Sequence, residues 1–136
     1  MSGAFSLKLA NQLSELARLA DGVDQWCGDN GIAELAPLIN VVLDDAVSNP
    51  INYGFEEGTE HVIEVRMALI DGRLRVEVID DGVAFDPLQK EDADITLGID
   101  ERKIGGLGIL LVKELMDDVR YAREGNCNHL IMEKAV

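Results

Sequence analysis

The sequence predicts an α+β two-layer sandwich, in which helices cover one face of a mixed, mostly antiparallel β-sheet. Segments in which apolar and polar residues alternate occur near both ends of the chain and in its middle, and segments of helical period lie between them. The two-residue turn Asp71-Gly72 joins two alternating segments, which is typical of an antiparallel hairpin. Because 136 residues are enough for one domain with its own core, we expect a single domain spanning residues 1–136.

The first predicted elements are an edge strand and a helix. Phe5, Leu7 and Leu9 alternate with small or polar residues, which is the pattern of a half-buried strand. From about residue 11 to residue 27 the apolar residues recur at helical spacing, at Leu13, Leu16, Leu19, Ala20 and Val23. The following GDNG is typical of a helix end.

A second helical pattern contains Asp45 and Asn49, which the four-residue spacing places on one face. Its apolar positions are Leu35, Leu38, Ile39, Val42 and Ala46, and Pro37 is tolerated in a first turn. Pro50 lacks the N–H that would bond a preceding carbonyl and disfavours helical geometry at Asn49, so we expect the helix to end or kink there. A kink would either aim Asn49 into a cleft or displace it, and the sequence leaves both outcomes open.

Two hairpins and a long connection complete the chain. Residues 64–69 and 74–78 alternate on either side of Asp71-Gly72, and strands at about 118–123 and 128–134 are joined by Glu124-Gly125-Asn126. Residues 87–104 show little periodicity, and so long a connection is usually functional or disordered, so we interpret it as a lid. The sequence GGLG, residues 105–108, then begins a helix that runs to about Met116.

Charge and composition exclude several classes of function. Twelve basic and 26 acidic residues give a net charge of -14, which disfavours binding to nucleic acid or to an anionic membrane. The chain has neither an apolar run of about 20 residues nor an apolar signal core at its start, so we expect a cytoplasmic protein. Cys27 and Cys127 lie in no CxxC pair and favour free thiols, and His61 and His129 are interpreted as isolated surface or sheet positions.

Three short motifs stand apart from the core pattern. The first is Asp45-x-x-x-Asn49, the second is IDDGVAFDP at residues 79–87, and the third is GGLG. Each has an ordinary explanation by itself, as a solvated helix pair, a turn and a tight helix start. However, a glycine-rich helix start also presents unpaired N–H groups to phosphate.

In their order and spacing these motifs resemble the N, G1 and G2 boxes of the GHKL ATPase superfamily, which includes gyrase and the histidine kinases. The closest resemblance is to its small stand-alone branch, the anti-sigma-factor serine/threonine kinases of bacterial partner-switching pathways. It spans nearly the whole chain and is especially close in FDP, in ERKIGGLGILLVKELMDDVRY and in the helix of Asp45. The resemblance implies the GHKL fold, ATP and Mg²⁺ as cofactors, a sigma factor and a small antagonist protein as partners, and a homodimer.

The resemblance also implies roles for individual residues. Asp45 matches the general base, and Asn49 matches the amide that ligates Mg²⁺ on the ATP phosphates. Asp80 matches the side chain that hydrogen-bonds the adenine amino group, and Gly82 matches the glycine that lets the backbone approach the purine. The residues that match the phosphate-binding segment are Gly105, Gly106, Leu107 and Gly108.

Two positions depart from the family pattern. Ala84 stands where a second glycine is usual, and it fits unless that position needs a positive φ. Asp45 stands where this branch usually has glutamate, so the reach of the base is shorter by one methylene. Arg102 and Lys103, at the end of the lid, either neutralise phosphate charge or are solvated.

Two functions therefore compete. The first is a serine/threonine kinase that phosphorylates the antagonist protein and is held away from the sigma factor when the antagonist is unphosphorylated. The second is a non-catalytic module of the same fold that binds a nucleotide or a partner, and the departures at Asp45 and Ala84 keep it open. A histidine-kinase catalytic domain is a third possibility, but we find no preceding helix with a phosphoacceptor histidine and no room for a dimerisation hairpin.

Overall fold

The computed structural model describes residues 4–55, 58–84 and 112–136, where two long helices lie on one five-stranded sheet. The elements in chain order are β1 (Phe5–Ala10), α1 (Glu15–Asp29), α2 (Ala36–Tyr53), β2 (Val62–Ile70), β3 (Arg73–Asp80), β4 (Asp118–Glu124) and β5 (Cys127–Ala135). A 3₁₀ turn, Ala33–Leu35, precedes α2, and residues 112–115 are helical. None of the helices in these described ranges is long and apolar enough to cross a bilayer.

The sheet has the strand order β1-β2-β3-β5-β4, and each neighbouring pair is antiparallel. The β2–β3 hairpin turns through Asp71 and Gly72, whose φ values of +50° and +78° are the positive values that a two-residue type I′ turn requires. Strand β3 then pairs with β5, so that Asp80 lies opposite Asn128. This pairing places the C-terminal hairpin beside the end of β3.

One face of the sheet is apolar and lies under the helices. The buried apolar residues of its three central strands are Ile63, Val65, Met67, Leu74, Val76, Val78, Leu130 and Met132. The helices cover them with Leu19, Val23, Ile39, Val42, Leu43 and Val47, and Val112 and Met116 belong to the same core. The opposite face carries charged side chains in pairs, including Glu64 with Arg66 and Arg73 with Glu133. The predicted α+β two-layer architecture is therefore confirmed.

Helix α2 continues through Pro50, so of the two predicted outcomes, an end or a kink at this residue, the end is wrong. It runs to Tyr53, and the N–H of Gly54 donates to the Pro50 carbonyl at 2.8 Å. Proline removes one backbone hydrogen bond, but Ala46 and Val47 in the preceding turn are fully packed into the core and hold the backbone helical. Pro37 lies in the first turn, as predicted.

Helix α1 begins four residues later than its apolar pattern indicated. The segment before it forms tight turns, in which the N–H of Glu15 donates to the Gln12 carbonyl at 3.0 Å and the N–H of Leu16 donates to the Leu13 carbonyl at 3.1 Å. Leu13 is 50% exposed, so this leucine belongs to the surface and not to the buried stripe. The two cysteines are free thiols, in agreement with the sequence.

We predict that Pro50→Ala stabilises the protein. Alanine restores the missing N–H and the better helix propensity, and part of this gain is offset because the unfolded chain becomes more flexible. We expect the free energy of unfolding to rise by about 1–2 kcal/mol, measured by urea denaturation. Pro37→Ala is the matched control and should give no gain, because the first turn needs no N–H at that position. An equal gain from both substitutions would contradict the prediction.

Candidate functional site

The first two sequence motifs meet at the C-terminal end of α2. The N–H of Val83, just after β3, donates to the carbonyl of Gly54, the residue that follows α2, at 2.9 Å. Asn49 lies five residues before Gly54, which corresponds to about 7.5 Å along a helix axis. The end of α2 that carries Asn49 therefore lies beside the turn that carries Asp80 and Gly82.

Glycine is required at position 82 by this contact. A Cβ atom there would lie 2.6 Å from the Gly54 carbonyl oxygen, a distance that real Cβ atoms do not adopt, and a tight 3.0 Å from Asp80 Oδ1. Apart from glycines, the described residues contain one with positive φ, which is Asp71. Ala84 therefore has an ordinary backbone conformation, and alanine is tolerated where the family usually has glycine.

Asp80 is the last residue of β3 and is 7% exposed. Its Oδ1 atom accepts hydrogen bonds from the N–H of Gly82 at 2.8 Å and from Nδ2 of Asn128 at 3.0 Å. Both of these bonds use the same carboxylate oxygen. The side chain is consequently held in one orientation at the mouth of the turn, as an acceptor for an amine requires.

The carboxyl group of Asp45, in contrast to that of Asp80, is buried at one of its oxygens without a hydrogen-bond donor among the described residues. Its Oδ2 atom is buried and has no hydrogen-bond partner within the described part of the chain. Burial and, to a lesser extent, the neighbouring Asp44 raise the pKa of Asp45 from 3.8 to about 6. A carboxyl group with such a pKa is suited to accept a proton near neutral pH.

Asp45 lies on the wall of a groove between α1 and α2. The groove has a volume of about 490 Å³, and residues that line it include Leu16, Ala20, Val41, Asp44 and Ser48. The raised pKa and the position in a concave surface together make Asp45 the best candidate for a catalytic base among the described residues.

Asn49 lies one helical turn after Asp45 and is half-buried. Its amide oxygen is the type of ligand that Mg²⁺ accepts. Within residues 4–55, 58–84 and 112–136 no group of three or more His, Cys, Asp or Glu side chains could hold a metal ion. A Mg²⁺ ion bound at Asn49 would therefore take most of its other ligands from phosphate oxygens and water.

The third motif lies outside the described residues. The predicted lid, residues 87–104, also lies outside the described residues. The same is true of six predicted site residues, which are Arg102, Lys103, Gly105, Gly106, Leu107 and Gly108. The structure places only the end of the helix that GGLG was predicted to begin, with Val112 and Met116 packed into the core.

The contact between Asn128 and Asp80 was not predicted from the sequence. Asn128 occupies an inward-facing position of β5, two residues before the buried Leu130, and is itself 7% exposed. A polar residue in an otherwise apolar alternation was the available signal. Its partner could not be identified because it depends on the pairing of β5 with β3.

His61 and His129 occupy surface and sheet positions, as predicted, but each side chain has a partner that the sequence did not identify. His61 stacks on Phe55 with ring centroids 4.4 Å apart, and its Nδ1 atom lies 2.9 Å from Asp81 Oδ1. His61 therefore packs against the same turn as Gly82. His129 lies on the other face of the sheet, with Nδ1 2.8 Å from Glu77 Oε2.

Three kinases illustrate the sequence similarity to characterised proteins. The chain is 25% identical over 109 residues to the serine/threonine-protein kinase BtrW of Bordetella bronchiseptica, covering 80% of this chain and 73% of BtrW. It is 30% identical over 92 residues to the serine-protein kinase RsbW of Listeria monocytogenes, covering 64% and 59% of the two chains. It is 30% identical over 89 residues to RsbW of Bacillus subtilis, covering 60% and 54%. The match thus spans less than two thirds of either RsbW protein.

A family model covers almost the whole chain. The model of the histidine kinase-like ATPase domain matches residues 9–134, which include all of α1, α2 and β2 to β4. The antiparallel sheet with helices on one face is consistent with the ATP-binding fold of this family. The chain therefore belongs to the family of histidine kinase-like ATPase domains.

Proposed function

We propose that this protein is an ATP-dependent serine/threonine kinase and anti-sigma factor that phosphorylates a small antagonist protein. The observation that carries the proposal is that two carboxyl groups, on α2 and on the turn that contacts its end, are held in different ways. Asp80 is oriented by N–H donors beside the end of α2, and the pKa of Asp45, one turn before Asn49, is raised by burial to about 6. The similarity to BtrW, which is named a serine/threonine-protein kinase, and to RsbW, which is named a serine-protein kinase, supports the proposal.

In this proposal the nucleotide binds where α2 meets the turn after β3. Asp80 accepts a hydrogen bond from the adenine amino group, and Asn49 ligates Mg²⁺ on the phosphates. Residues 105–108, which the sequence predicts to begin a helix, are proposed to bind phosphate oxygens through their N–H groups, and Arg102 and Lys103 are proposed to neutralise charge. In a chain with a net charge of -14, these cations and Mg²⁺ are needed to hold a polyanion.

Asp45 acts on the acceptor serine. Its carboxylate takes the hydroxyl proton as the serine oxygen bonds to the γ-phosphorus and the bond to the ADP oxygen breaks. The proton remains on Asp45 until the phosphorylated antagonist leaves. The pKa of about 6 keeps most of this carboxylate ionised at neutral pH, so that it is ready to accept the proton.

A non-catalytic binding module is the second candidate. The specific observation in its favour is that Asp45 Oδ2 is buried, on a side chain already one methylene shorter than the glutamate usual in this branch. A buried short carboxylate reaches less far toward an acceptor hydroxyl. The two candidates differ in phosphotransfer and agree in nucleotide binding.

We predict that Asp45→Ala separates binding from chemistry. Mg-ATP affinity should remain nearly unchanged, and phosphotransfer should fall by about 10²–10⁴-fold, because the carboxylate acts only on the acceptor hydroxyl. Single-turnover phosphorylation of the cognate antagonist and titration calorimetry measure the two quantities. Asp21→Ala, which removes an exposed carboxylate of α1, is the control and should transfer at the wild-type rate.

The outcomes of this experiment distinguish the candidates. Equal, measurable rates for the wild type and Asp45→Ala would eliminate Asp45 as the base. ATP binding without transfer by any form, including Asp45→Glu, would favour the binding module.

We predict that Asp45→Asn stabilises the protein in a pH-dependent way. The pKa in the folded protein is higher than the ordinary 3.8, so the folded state binds the proton more tightly and loses stability as pH rises from about 4 to about 6. Asparagine cannot ionise and avoids this loss. With allowance for solvent screening of a partly exposed group, its effect at pH 7.5 should exceed that at pH 4 by about 1 kcal/mol.

Urea denaturation at both pH values measures this difference. Asp21→Asn is the control and should show no such pH dependence, because the side chain is exposed. The same change in unfolding free energy at pH 4 and pH 7.5 for Asp45→Asn would rule out an elevated pKa.

We predict that Asn49→Ala weakens chiefly the Mg²⁺-dependent part of ATP binding. Removal of one oxygen ligand should reduce affinity by about tenfold with Mg²⁺ present and have little effect in EDTA. Calorimetric titrations under the two conditions measure the change. Asn52→Ala, at an exposed position of the same helix, is the matched control. Equal losses with and without metal would exclude Asn49 as the ligand.

A further inference from the structure

A partly buried polar network, centred on the buried Asn128, lies behind the turn of residues 80–83. Asn128 Nδ2 donates to Asp80 Oδ1 at 3.0 Å and to the Val83 carbonyl at 2.8 Å. Asn128 Oδ1 accepts from the hydroxyl of Tyr121 and from Arg123 Nη1, the latter at 3.1 Å. The network therefore connects both strands of the C-terminal hairpin to the turn.

The partners of Asn128 determine the orientation of its amide. Its NH₂ group meets two acceptors, and its oxygen meets two donors. A flipped amide would place its oxygen against a carboxylate and a carbonyl, and its NH₂ group against a hydroxyl and a guanidinium. The contacts with the carboxylate, the carbonyl and the guanidinium would be lost or repulsive, and only the Tyr121 hydroxyl could adapt by accepting, so the observed orientation satisfies the site best.

Arg123 makes a second connection to the same turn. Its Nη1 atom donates to the Gly82 carbonyl at 2.9 Å as well as to Asn128. Strand pairing places Arg123 directly opposite Asn128, on the face that carries the network. The turn is thus held at the Gly82 and Val83 carbonyls by two side chains of the hairpin and at the Val83 N–H by α2.

We propose that Asn128 and Arg123 are positioning residues that give the nucleotide site its preference for a purine with a 6-amino group. Asn128 and the Gly82 N–H hold Asp80 through Oδ1, so that Oδ2 is the oxygen directed to the base. A carboxylate held in this way accepts hydrogen bonds and donates none, and it therefore recognises an amine. This inference rests on the proposed role of Asp80 in binding adenine.

The test compares two ligands that differ only at the 6-position. Affinities for ATP and for purine riboside 5′-triphosphate, which lacks the amino group, are measured calorimetrically in Mg²⁺ for the wild type, Asn128→Asp and Arg123→Met. The wild type should prefer ATP by about tenfold or more, as expected for a hydrogen bond to a charged group. Asn128→Asp keeps the shape but places an acceptor against Asp80 Oδ1, so the preference should fall toward unity.

Arg123→Met should lower the same ratio by a smaller factor, because it removes the bond to the Gly82 carbonyl and leaves Asn128 in place. Asn126→Asp is the matched control, since it makes the same chemical change at an exposed position of the same hairpin and should retain the wild-type ratio. If Asn128 had a purely structural role, Asn128→Asp would weaken the binding of both ligands equally. The ratio of the two affinities therefore depends on the position of Asp80, and it does not change when a substitution weakens the binding of both ligands alike.

Each outcome decides one claim. A wild type that binds neither ligand, or binds both equally, would overturn the proposed role of Asp80 itself. A wild type that prefers ATP, with unchanged ratios in Asn128→Asp and Arg123→Met, would overturn only the positioning role. If circular dichroism shows that Asn128→Asp does not fold, the ratio for Arg123→Met decides the question alone.

Discussion

The antiparallel pairing of β3 with β5 is the constraint on which the rest of the structure depends. These strands are joined over almost their whole length, from Arg73 opposite Ala135 to Asp80 opposite Asn128. In this register the alternate residues Leu130 and Met132 face the core. A slip of one residue would turn them to solvent and would also turn Asn128 away from Asp80. The apolar core and the polar end of the site are therefore specified by the same set of backbone hydrogen bonds.

The candidate site contains two aspartates whose surroundings differ. Asp80 receives a backbone N–H and a side-chain amide, which offset the cost of burying a carboxylate. Asp45 is desolvated without such donors in the described structure, and its pKa rises to about 6 as a result. A group with satisfied bonds is suited to recognition, whereas a group that gains from a proton is suited to proton transfer.

Local pattern was sufficient to predict most of the fold. The alternation in β2 and β3, together with Asp71-Gly72, depends on residues that are close in sequence, and the hairpin was predicted with its turn. The partners of Asn128 and His61 depend on pairing and packing between distant segments, so periodicity could not identify them. Asp45, Asn49 and Asp80 of the candidate site were identified from the sequence. The residues that position these side chains were not.

The continuation of α2 beyond Pro50 has a consequence for the two polar residues of this helix. If the helix had ended at Asn49, the backbone there would have turned to an extended conformation and the side chain would have left the face of Asp45. Four residues of uninterrupted helix instead rotate one side chain relative to the other by only about 40°. The same continuation brings Gly54 to the position where its carbonyl accepts from Val83. Core packing that overrides the preference of Pro50 thus keeps the proposed base and metal ligand together and joins both to the turn of Asp80.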